Sequence, residues 1–491
     1  MSHRALLRAQ ALLFAAYALL LAATAWRPVD TPDWREADIA AVARNFSRES
    51  MNPLRPRIDW RGDGDGVVEM EPPLLPYAMA LLSPVAGEDV RVGRLLSLAA
   101  WLTGFAFFLA LARARLAPLG AGIAGLAFAL NPLGLQVATE LRPEPVMLAA
   151  GIAAVYYAER WLRAGAAGDR ARAGVATALA IFAKLPALWL GLLLAALALR
   201  HRGLRALRQV ELWAFAALVL LPAALWYGYA RTLWRATGNS LGLSNQDHLF
   251  GLDLLATASP FLGVLDTEQG LVFMPSGVLL VLAGALAGAW RRWLTLELWW
   301  LASLALYYGA TAATTGEAWA AYYHVTSLPL AALLIGGSVE TLLGASRVPR
   351  IAGALLLAAT LVHAGSASAS LALRRLPGRA EPDPLQLCAE AFARQVPSDA
   401  RLLVAGGRCR DRGGRRVAHN RPYLFYWMDR KGSQPCAEAL SAEPLARYDF
   451  FAAERRDLRM QDGFEAALRA RYPLAAECDA AVLFDLRGPT P

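Results

Sequence analysis

Long apolar runs recur along most of the chain, each closed by a short Arg-bearing stretch, and a polar tail follows them. Runs near 20 residues are the length that spans a bilayer as helix. They fall at about Leu6 to Trp26, Val92 to Leu111, Gly120 to Thr139, Pro145 to Leu162, Leu212 to Tyr229, Gly270 to Ala289, Trp293 to Thr311, Val325 to Leu343 and Ile351 to Leu371. One further stretch, Ala173 to Leu199, is apolar except for Lys184-Leu185-Pro186 in its middle. Read as a single span, it puts Arg200, Arg202, Arg205 and Arg208 on the outer face, against the preference of short basic loops for the inside. An uncompensated lysine at mid-membrane costs at least about 2.5–3.5 kcal/mol, and Pro186 favours a break just before it. Two short helices that turn at Lys184 solve both problems and leave a cation at the end of a cavity.

Counted in this way, the chain is a polytopic α-helical membrane protein with about eleven transmembrane helices. Arg4 and Arg8 precede the first span and set its start inside, so the segment after Leu373 lies outside. Ala23-Thr24-Ala25 resembles a signal-peptidase site, and the span is expected to be kept as an anchor.

The polar stretch with the most chemistry is the first outer loop, residues 27–90. Asp30, Thr31 and Asp33 are helix N-cap candidates, and Ile39, Val42, Ala43 and Phe46 follow at helical spacing. The spacing predicts an amphipathic helix over Asp33 to Ser50, lying in the membrane interface. Asp59 to Gly66 reads as a turn; within it Asp63-Gly64-Asp65-Gly66 lacks the first acidic ligand of a calcium loop. Pro72, Pro73 and Pro76 open a second, half-buried helix ending near Pro84. The loop gathers Asp33, Glu36, Asp38, Glu69 and Glu71 beside Arg35 and Arg44. A second outer turn carries Arg142-Pro143-Glu144.

The tail, residues 374–491, is long enough to fold alone. Short buried strands are expected at Arg401 to Ala405, Tyr448 to Ala453 and Ala480 to Phe484, and helices at Leu385 to Gln395 and Leu458 to Tyr472, giving a small α/β domain. It contains no nucleophile elbow and no phosphate loop. All four cysteines, Cys388, Cys409, Cys436 and Cys478, lie in it without metal-site spacing. Two disulfides in an oxidising, extracytoplasmic compartment follow; four cysteines allow three pairings, and spacing does not choose.

Composition fits this division. The chain of 491 residues is 56% hydrophobic, with net charge +9, a mean hydropathy of +0.35 and a pI near 9.6. The basic residues sit between spans, which marks membrane orientation rather than nucleic-acid binding. The Ala, Leu, Arg and Gly bias fits a bacterium with a GC-rich genome, and so a bacterial inner-membrane protein.

Several motifs in order resemble the GT-C glycosyltransferases, in particular the bacterial branch of aminoarabinose transferases and protein O-mannosyltransferases. They are Arg35-Glu36-Ala37-Asp38-Ile39, Glu69-Met70-Glu71-Pro72-Pro73-Leu74, Arg142-Pro143-Glu144-Pro145, Lys184-Leu185-Pro186, and Ala321-Tyr322-Tyr323-His324 followed by Leu328-Pro329-Leu330. The resemblance covers roughly residues 5 to 345. It implies a transmembrane catalytic domain over 1–373, a polyprenyl-phosphate-linked sugar as donor and co-substrate, and inversion at the anomeric carbon. The acceptor, a glycan, lipid or protein, is unspecified. Two departures stand out: Glu71 occupies a position where the family often has lysine, and Pro32 falls where an acidic residue is usual.

The reaction needs a carboxylate to take the acceptor's proton and cations to stabilise the leaving phosphate. Asp38, Asp33 and Glu144 are the candidate catalytic carboxylates, with the choice between Asp38 and Asp33 as base left open. Lys184, Arg35 and Arg142 are the candidate phosphate ligands. A divalent metal, of unknown identity, has Glu69, Glu71 and His324 as candidate ligands. The alternative function is a lipid or sugar transporter or flippase, which calls for intramembrane carboxylates and paired broken helices. Here the carboxylates lie in outer loops, and one broken helix is evident.

Overall fold

The computed structural model describes residues 3–27, 33–247, 254–376, 383–411, 413–459 and 463–488, with side chains from residue 14 onward. The expected caps Asp30 and Thr31 lie outside the described residues. The chain divides into two compact units. One comprises Met1–Arg27, Arg94–Trp226 and Phe250–Arg379; the other comprises Pro28–Gly93, Tyr227–Leu249 and Ala380–Pro491.

The first unit is helical. Among the described residues, five helices are long and apolar enough to cross a membrane: Val90–Arg115, Leu185–Arg208, Val210–Thr237, Ala318–Leu343 and Arg347–Arg375. Two further pairs qualify together but are bent, Pro118–Ala129 with Pro132–Ala138 by 61° and Ser259–Val272 with Pro275–Leu286 by 93°. The first was expected as one straight span, Gly120 to Thr139; of the second, only the part from Gly270 was expected in a span, and the helix Ser259–Thr267 lies before it. The first has a local cause: Asn131 caps the second half by accepting from the Gly134 amide, and its own amide donates to the carbonyls of Leu271 and Val272, both at 2.9 Å. Pro132 and Pro275 then start the following helices, where a missing N–H costs nothing.

The chain breaks at Lys184 as the charge and proline suggest. Helix Ala167–Ala183 stops there, Lys184 is extended (φ −161°, ψ 133°), and a 3-10 turn, Leu185–Leu188, leads into Trp189–Arg202. The preceding helix, Glu144–Ala164, packs along Ala167–Ala183 as a hairpin. Helix Leu328–Leu343 is the buried centre and meets Pro118–Ala129 closely: a Cβ on Gly336 would lie 2.5 Å from the Gly120 carbonyl oxygen, so only glycine fits. Helix Val210–Thr237, by contrast, exposes Leu218, Leu220, Leu221 and Leu225, the pattern of a lipid-facing span.

The second unit joins the first outer loop to the tail. Five strands, β1 Leu402–Val404, β2 Gly432–Ser433, β3 Phe450–Glu454, β4 Leu474–Glu477 and β5 Ala481–Asp485, form one sheet in the order β2-β1-β3-β5-β4. β2, β1 and β3 run parallel, and β5 is antiparallel to both β3 and β4. Phe451, Phe484, Leu403 and Val482 fill its core. The three expected strands are present; β2, two residues long, and β4 were not expected. The expected helix over Leu458 to Tyr472 is instead two, Arg455–Leu458 and Phe464–Arg471. Disulfides link Cys388 to Cys478 and Cys409 to Cys436.

The outer loop is stitched to the sheet. Trp60 pairs with Gly432 of β2 as a parallel bridge; the Arg61 amide donates to the Gly432 carbonyl at 2.7 Å, and the Gly432 amide to Asp59 O at 3.1 Å. Helix Trp34–Arg48 buries eleven of its fifteen residues, Ile39, Val42 and Phe46 among them. Phe46 meets Tyr77 of helix Leu74–Ala86 edge-on at 5.4 Å. The apolar stripe is therefore covered by protein, which corrects the expectation that it lies in the lipid headgroups.

Candidate active site

The sequence-predicted residues fall into two clusters, one in each unit. In the loop unit, Asp33 is the N-cap of helix Trp34–Arg48: its Oδ1 accepts from the amides of Arg35 at 3.0 Å and Glu36 at 3.4 Å. Asp38, one turn on, is fully buried, and Oδ1 accepts from the indole N–H of Trp60 at 2.9 Å. Its Oδ2 makes no hydrogen bond within 3.5 Å among the described residues, but the Asn420 side chain stands beside the carboxyl as a further donor. Burial pushes the Asp38 carboxyl up to about 7; the Trp60 bond, the Arg35 charge and the neighbouring Asn420 amide pull the other way, and Asp59 adds to the rise.

Arg35 is fixed by three neighbours. It donates to the Leu241 carbonyl at 2.8 Å, pairs with Glu71 at 3.4 Å and lies 5.0 Å over the Trp34 ring. Glu69 accepts from the Ser244 hydroxyl at 2.7 Å, and its backbone is tied on both sides to residues 239–241. Asp59 receives Arg44 at 2.7 Å and Asn45 at 2.9 Å, which holds the turn carrying Trp60 against the helix carrying Asp38.

In the helical unit, Glu144 begins its helix and contacts the Lys184 ammonium as an ion pair; both side chains are buried. Arg142 pairs with Glu140 at 2.7 Å, and Glu140 also receives Arg375 at 2.8 Å. Aromatic rings back both cations. Arg142 lies 4.3 Å over Tyr322, and Lys184 lies 4.9 Å from the Tyr322 ring and 4.8 Å from Tyr323. The two cations share the Tyr322 face, Arg142 beside Glu140 and Lys184 beside Glu144. Tyr322 and Tyr323 were quoted only as part of a motif; their role as the floor of this cluster appears with the fold.

The metal set does not assemble. His324 spends both ring nitrogens, Nδ1 on Glu268 at 2.7 Å and Nε2 on the Thr315 carbonyl at 2.8 Å, and stacks on Tyr308. Glu71 faces Arg35. Among the described residues the one grouping with ligand spacing is Cys409, Cys436 and Glu438, whose thiols are joined in a disulfide. His324 has no ring nitrogen to spare for a metal, whereas Glu69 Oε2 and both Glu71 oxygens are buried without a hydrogen bond among the described residues; no step is routed through a metal.

Crystal structures of ArnT from Cupriavidus metallidurans, in the apo state and bound to undecaprenyl phosphate, match with TM-scores of 0.65 and 0.64, each at 14% identity over 98% of this chain and 99% of that one. The chain has the GT-C glycosyltransferase fold. The arabinofuranosyltransferase AftD from Mycobacteria matches at TM-score 0.50 and 16% identity, over 100% of this chain and 40% of that one. The sequence model of the dolichyl-phosphate-mannose-protein mannosyltransferase family matches residues 70–227. That segment holds Glu71, Arg142, Glu144 and Lys184 but not the helix of Asp38. A comparison with curated proteins found no match. With five long apolar helices, this is a multi-pass membrane protein.

Proposed function

We propose that the protein is an inverting glycosyltransferase that moves a sugar from a polyprenyl-phosphate donor to an acceptor on the outer face of a bacterial inner membrane. In this reading the catalytic domain spans residues 1–373 with about eleven membrane crossings, and residues 374–491 lie outside the cytoplasm. The observation that carries it is Asp38: a fully buried carboxyl with one oxygen held by Trp60, the Asn420 amide beside it, and a pKa near neutrality. A base of that kind is poised to exchange a proton at working pH.

Asp38 takes the proton of the acceptor hydroxyl as its oxygen attacks the anomeric carbon. The bond from that carbon to the phosphate oxygen breaks, and the electron pair leaves on polyprenyl phosphate. One displacement inverts the centre. Lys184 and Arg142 hold the leaving phosphate, and Glu144 and Glu140 aim them. Asp33 serves as helix cap and Arg35 as the charge that orients Asp38 and Glu71. The alternative, a lipid or sugar transporter, gains support from the two bent helix pairs. The base, however, lies in a loop outside the spans. Purified protein in nanodiscs, given synthetic polyprenyl-phosphate sugar, separates the two: release of polyprenyl phosphate supports the transferase, and sugar-lipid movement without cleavage supports the transporter.

A further inference from the structure

Three irregular pieces of backbone meet in the helical unit behind the aromatic floor of Arg142 and Lys184. Residues Ala318–Ser327 form a 3-10 helix ten residues long, where such helices rarely pass about three or four. Glu268–Val272 is a turn of π-helix, closed by the Phe273 amide donating to the Glu268 carbonyl at 2.9 Å. Met274, just after it, has φ 62° and ψ 148°, a backbone region that residues with a side chain avoid. Helix Ser259–Thr267, which delivers Glu268, presses its backbone against the residue just ahead of the 3-10 helix: a Cβ on Gly263 would run into the Gly316 carbonyl. Backbone of this kind persists only where its surroundings hold it, and it gathers at working sites.

One carboxylate oxygen holds this geometry. His324 Nδ1 lies 2.7 Å from Glu268 Oε1, and the Ser327 hydroxyl donates to the same oxygen at 2.8 Å. A 3-10 helix has about three residues per turn, so positions three apart eclipse and one acceptor reaches both; on an α-helix they diverge by about 60°. The other ring nitrogen, Nε2, faces the Thr315 carbonyl at 2.8 Å, and because a carbonyl only accepts, that nitrogen carries a proton. A second proton lies between Nδ1 and Glu268, since two lone pairs at that distance repel. The Tyr308 ring stacks on His324 with centroids 4.6 Å apart, and its hydroxyl lies 2.8 Å from Ser327 Oγ and 2.9 Å from Thr326 Oγ1.

We infer that Glu268 and His324 are positioning residues for the donor phosphate: they keep residues 318–327 in 3-10 phase, and that phase aims Tyr322 and Tyr323 at Arg142 and Lys184. The inference rests on those two cations holding the phosphate. The tyrosines directly precede His324, and their rings pack together with centroids 4.5 Å apart. Tyr322 lies 4.3 Å from the Arg142 guanidinium and 4.9 Å from the Lys184 ammonium, and Tyr323 lies 4.8 Å from Lys184. A slip from 3-10 to α geometry changes the turn per residue from about 120° to about 100°. Rings one and two residues from the clamp then swing off the cations while the rest of the span stays in place. The attraction of a cation to a ring face is local, within about 6 Å of the centroid. Loss of the clamp therefore releases both side chains from their places beside Glu140 and Glu144.

The test is native mass spectrometry of the full-length protein in nanodiscs, comparing undecaprenyl phosphate with undecaprenol, which has the same chain and no phosphate. His324→Phe keeps the stack on Tyr308 and removes both hydrogen bonds. Ser327→Ala removes one hydroxyl and keeps the fold if His324→Phe does not. His324→Phe is expected to weaken undecaprenyl phosphate binding about tenfold, the worth of one hydrogen bond, and Ser327→Ala to weaken it by less. Undecaprenol binding is expected to stay unchanged in both. With Tyr322 and Tyr323 both replaced by leucine, the same substitutions are expected to have no further effect, because the clamp works through those rings. Equal loss of both lipids, an unchanged preference for undecaprenyl phosphate in the folded variants, or a full additional loss in the protein without the tyrosines overturns the inference. Wild-type protein with no preference for undecaprenyl phosphate over undecaprenol overturns the donor reading itself.

Discussion

The indole N–H of Trp60 donates to Asp38 Oδ1 at 2.9 Å, and Trp60 itself is pinned to the edge strand of the tail's sheet through Gly432. The charge state of a loop carboxyl is thereby coupled to a fold built from residues more than 300 positions later. The bond favours the ionised carboxylate, against the burial that opposes it. Trp60→Phe keeps the ring and removes the donor. The acid limb of the pH–rate profile, expected near pH 7 in the wild type from the Asp38 carboxyl at about 7, should move to higher pH in the variant. The sign follows because a base must be deprotonated, and a lost donor makes deprotonation harder. An unmoved limb in a folded variant would count against Asp38.

Asp38→Asn keeps the shape and the Trp60 acceptor but takes no proton. Transfer should fall by about 10²- to 10⁴-fold with undecaprenyl phosphate binding retained. Asp33→Asn is the informative partner, because asparagine caps a helix as well as aspartate does. If Asp33 is only the N-cap, that variant should keep near wild-type rate and melting temperature. A larger loss at position 33 would swap the assignment.

The same buried carboxyl predicts a stability trade. A folded-state pKa raised to about 7 means the protonated form is the one the fold favours. Stability from this group is highest below the unfolded value near 4, declines as pH rises toward 7, and stays at its lowest above. Asp38→Asn should therefore melt several degrees above wild type at pH 8, with the gap closing toward pH 4. Differential scanning fluorimetry across that range checks it; a variant that melts lower at pH 8 contradicts the burial argument.

Lys184 and Glu144 are the reciprocal case in the helical unit. Removing one partner of a buried pair leaves the other uncompensated, at about 3–5 kcal/mol, whereas removing both is far cheaper. Glu144→Gln should lower the melting temperature sharply, and Glu144→Gln with Lys184→Met should recover much of it. Undecaprenyl phosphate binding should be weakened in every variant without Lys184, stable or not. Equal lipid binding in the wild type and the rescued double variant would remove Lys184 from the phosphate site.

Which parts were legible in the sequence follows from what periodicity and charge encode. The break at Lys184 could be read because a charge and a proline interrupt an apolar run together. The bends at Asn131–Pro132 and before Pro275 could not, since no charge marks them and apolar spacing is blind to direction. For helix Trp34–Arg48 the spacing of Ile39, Val42 and Phe46 reports a buried face but not whether lipid or protein covers it. Asp38, Lys184 and Arg142 stand out in the sequence as charges beside apolar runs. Trp60 and Tyr322, which contact Asp38 and the two cations, give no such signal, because their contacts are distant in sequence and an uncharged side chain does not announce them.

The Cys409–Cys436 bond supplies the last prediction. It closes a loop of sequence separation 27 that carries Asn420, Arg421 and Tyr423. Cross-linking a loop of that length limits the unfolded chain by about 3–4 kcal/mol in the chain-entropy account. In the folded protein it also shortens the excursions open to Asn420 beside Asp38. Non-reducing peptide mapping should find 409 linked to 436 and 388 linked to 478; four free thiols in exported protein would defeat both the pairing and the extracytoplasmic placement. Paired replacement of Cys409 and Cys436 by serine should lower the melting temperature. Undecaprenyl phosphate binding should be untouched, since Lys184 and Arg142 take their geometry from Glu144, Glu140 and the tyrosines of the helical unit. Loss of undecaprenyl phosphate binding together with the fall in melting temperature would instead mean that the disulfide supports the protein as a whole rather than the tail alone.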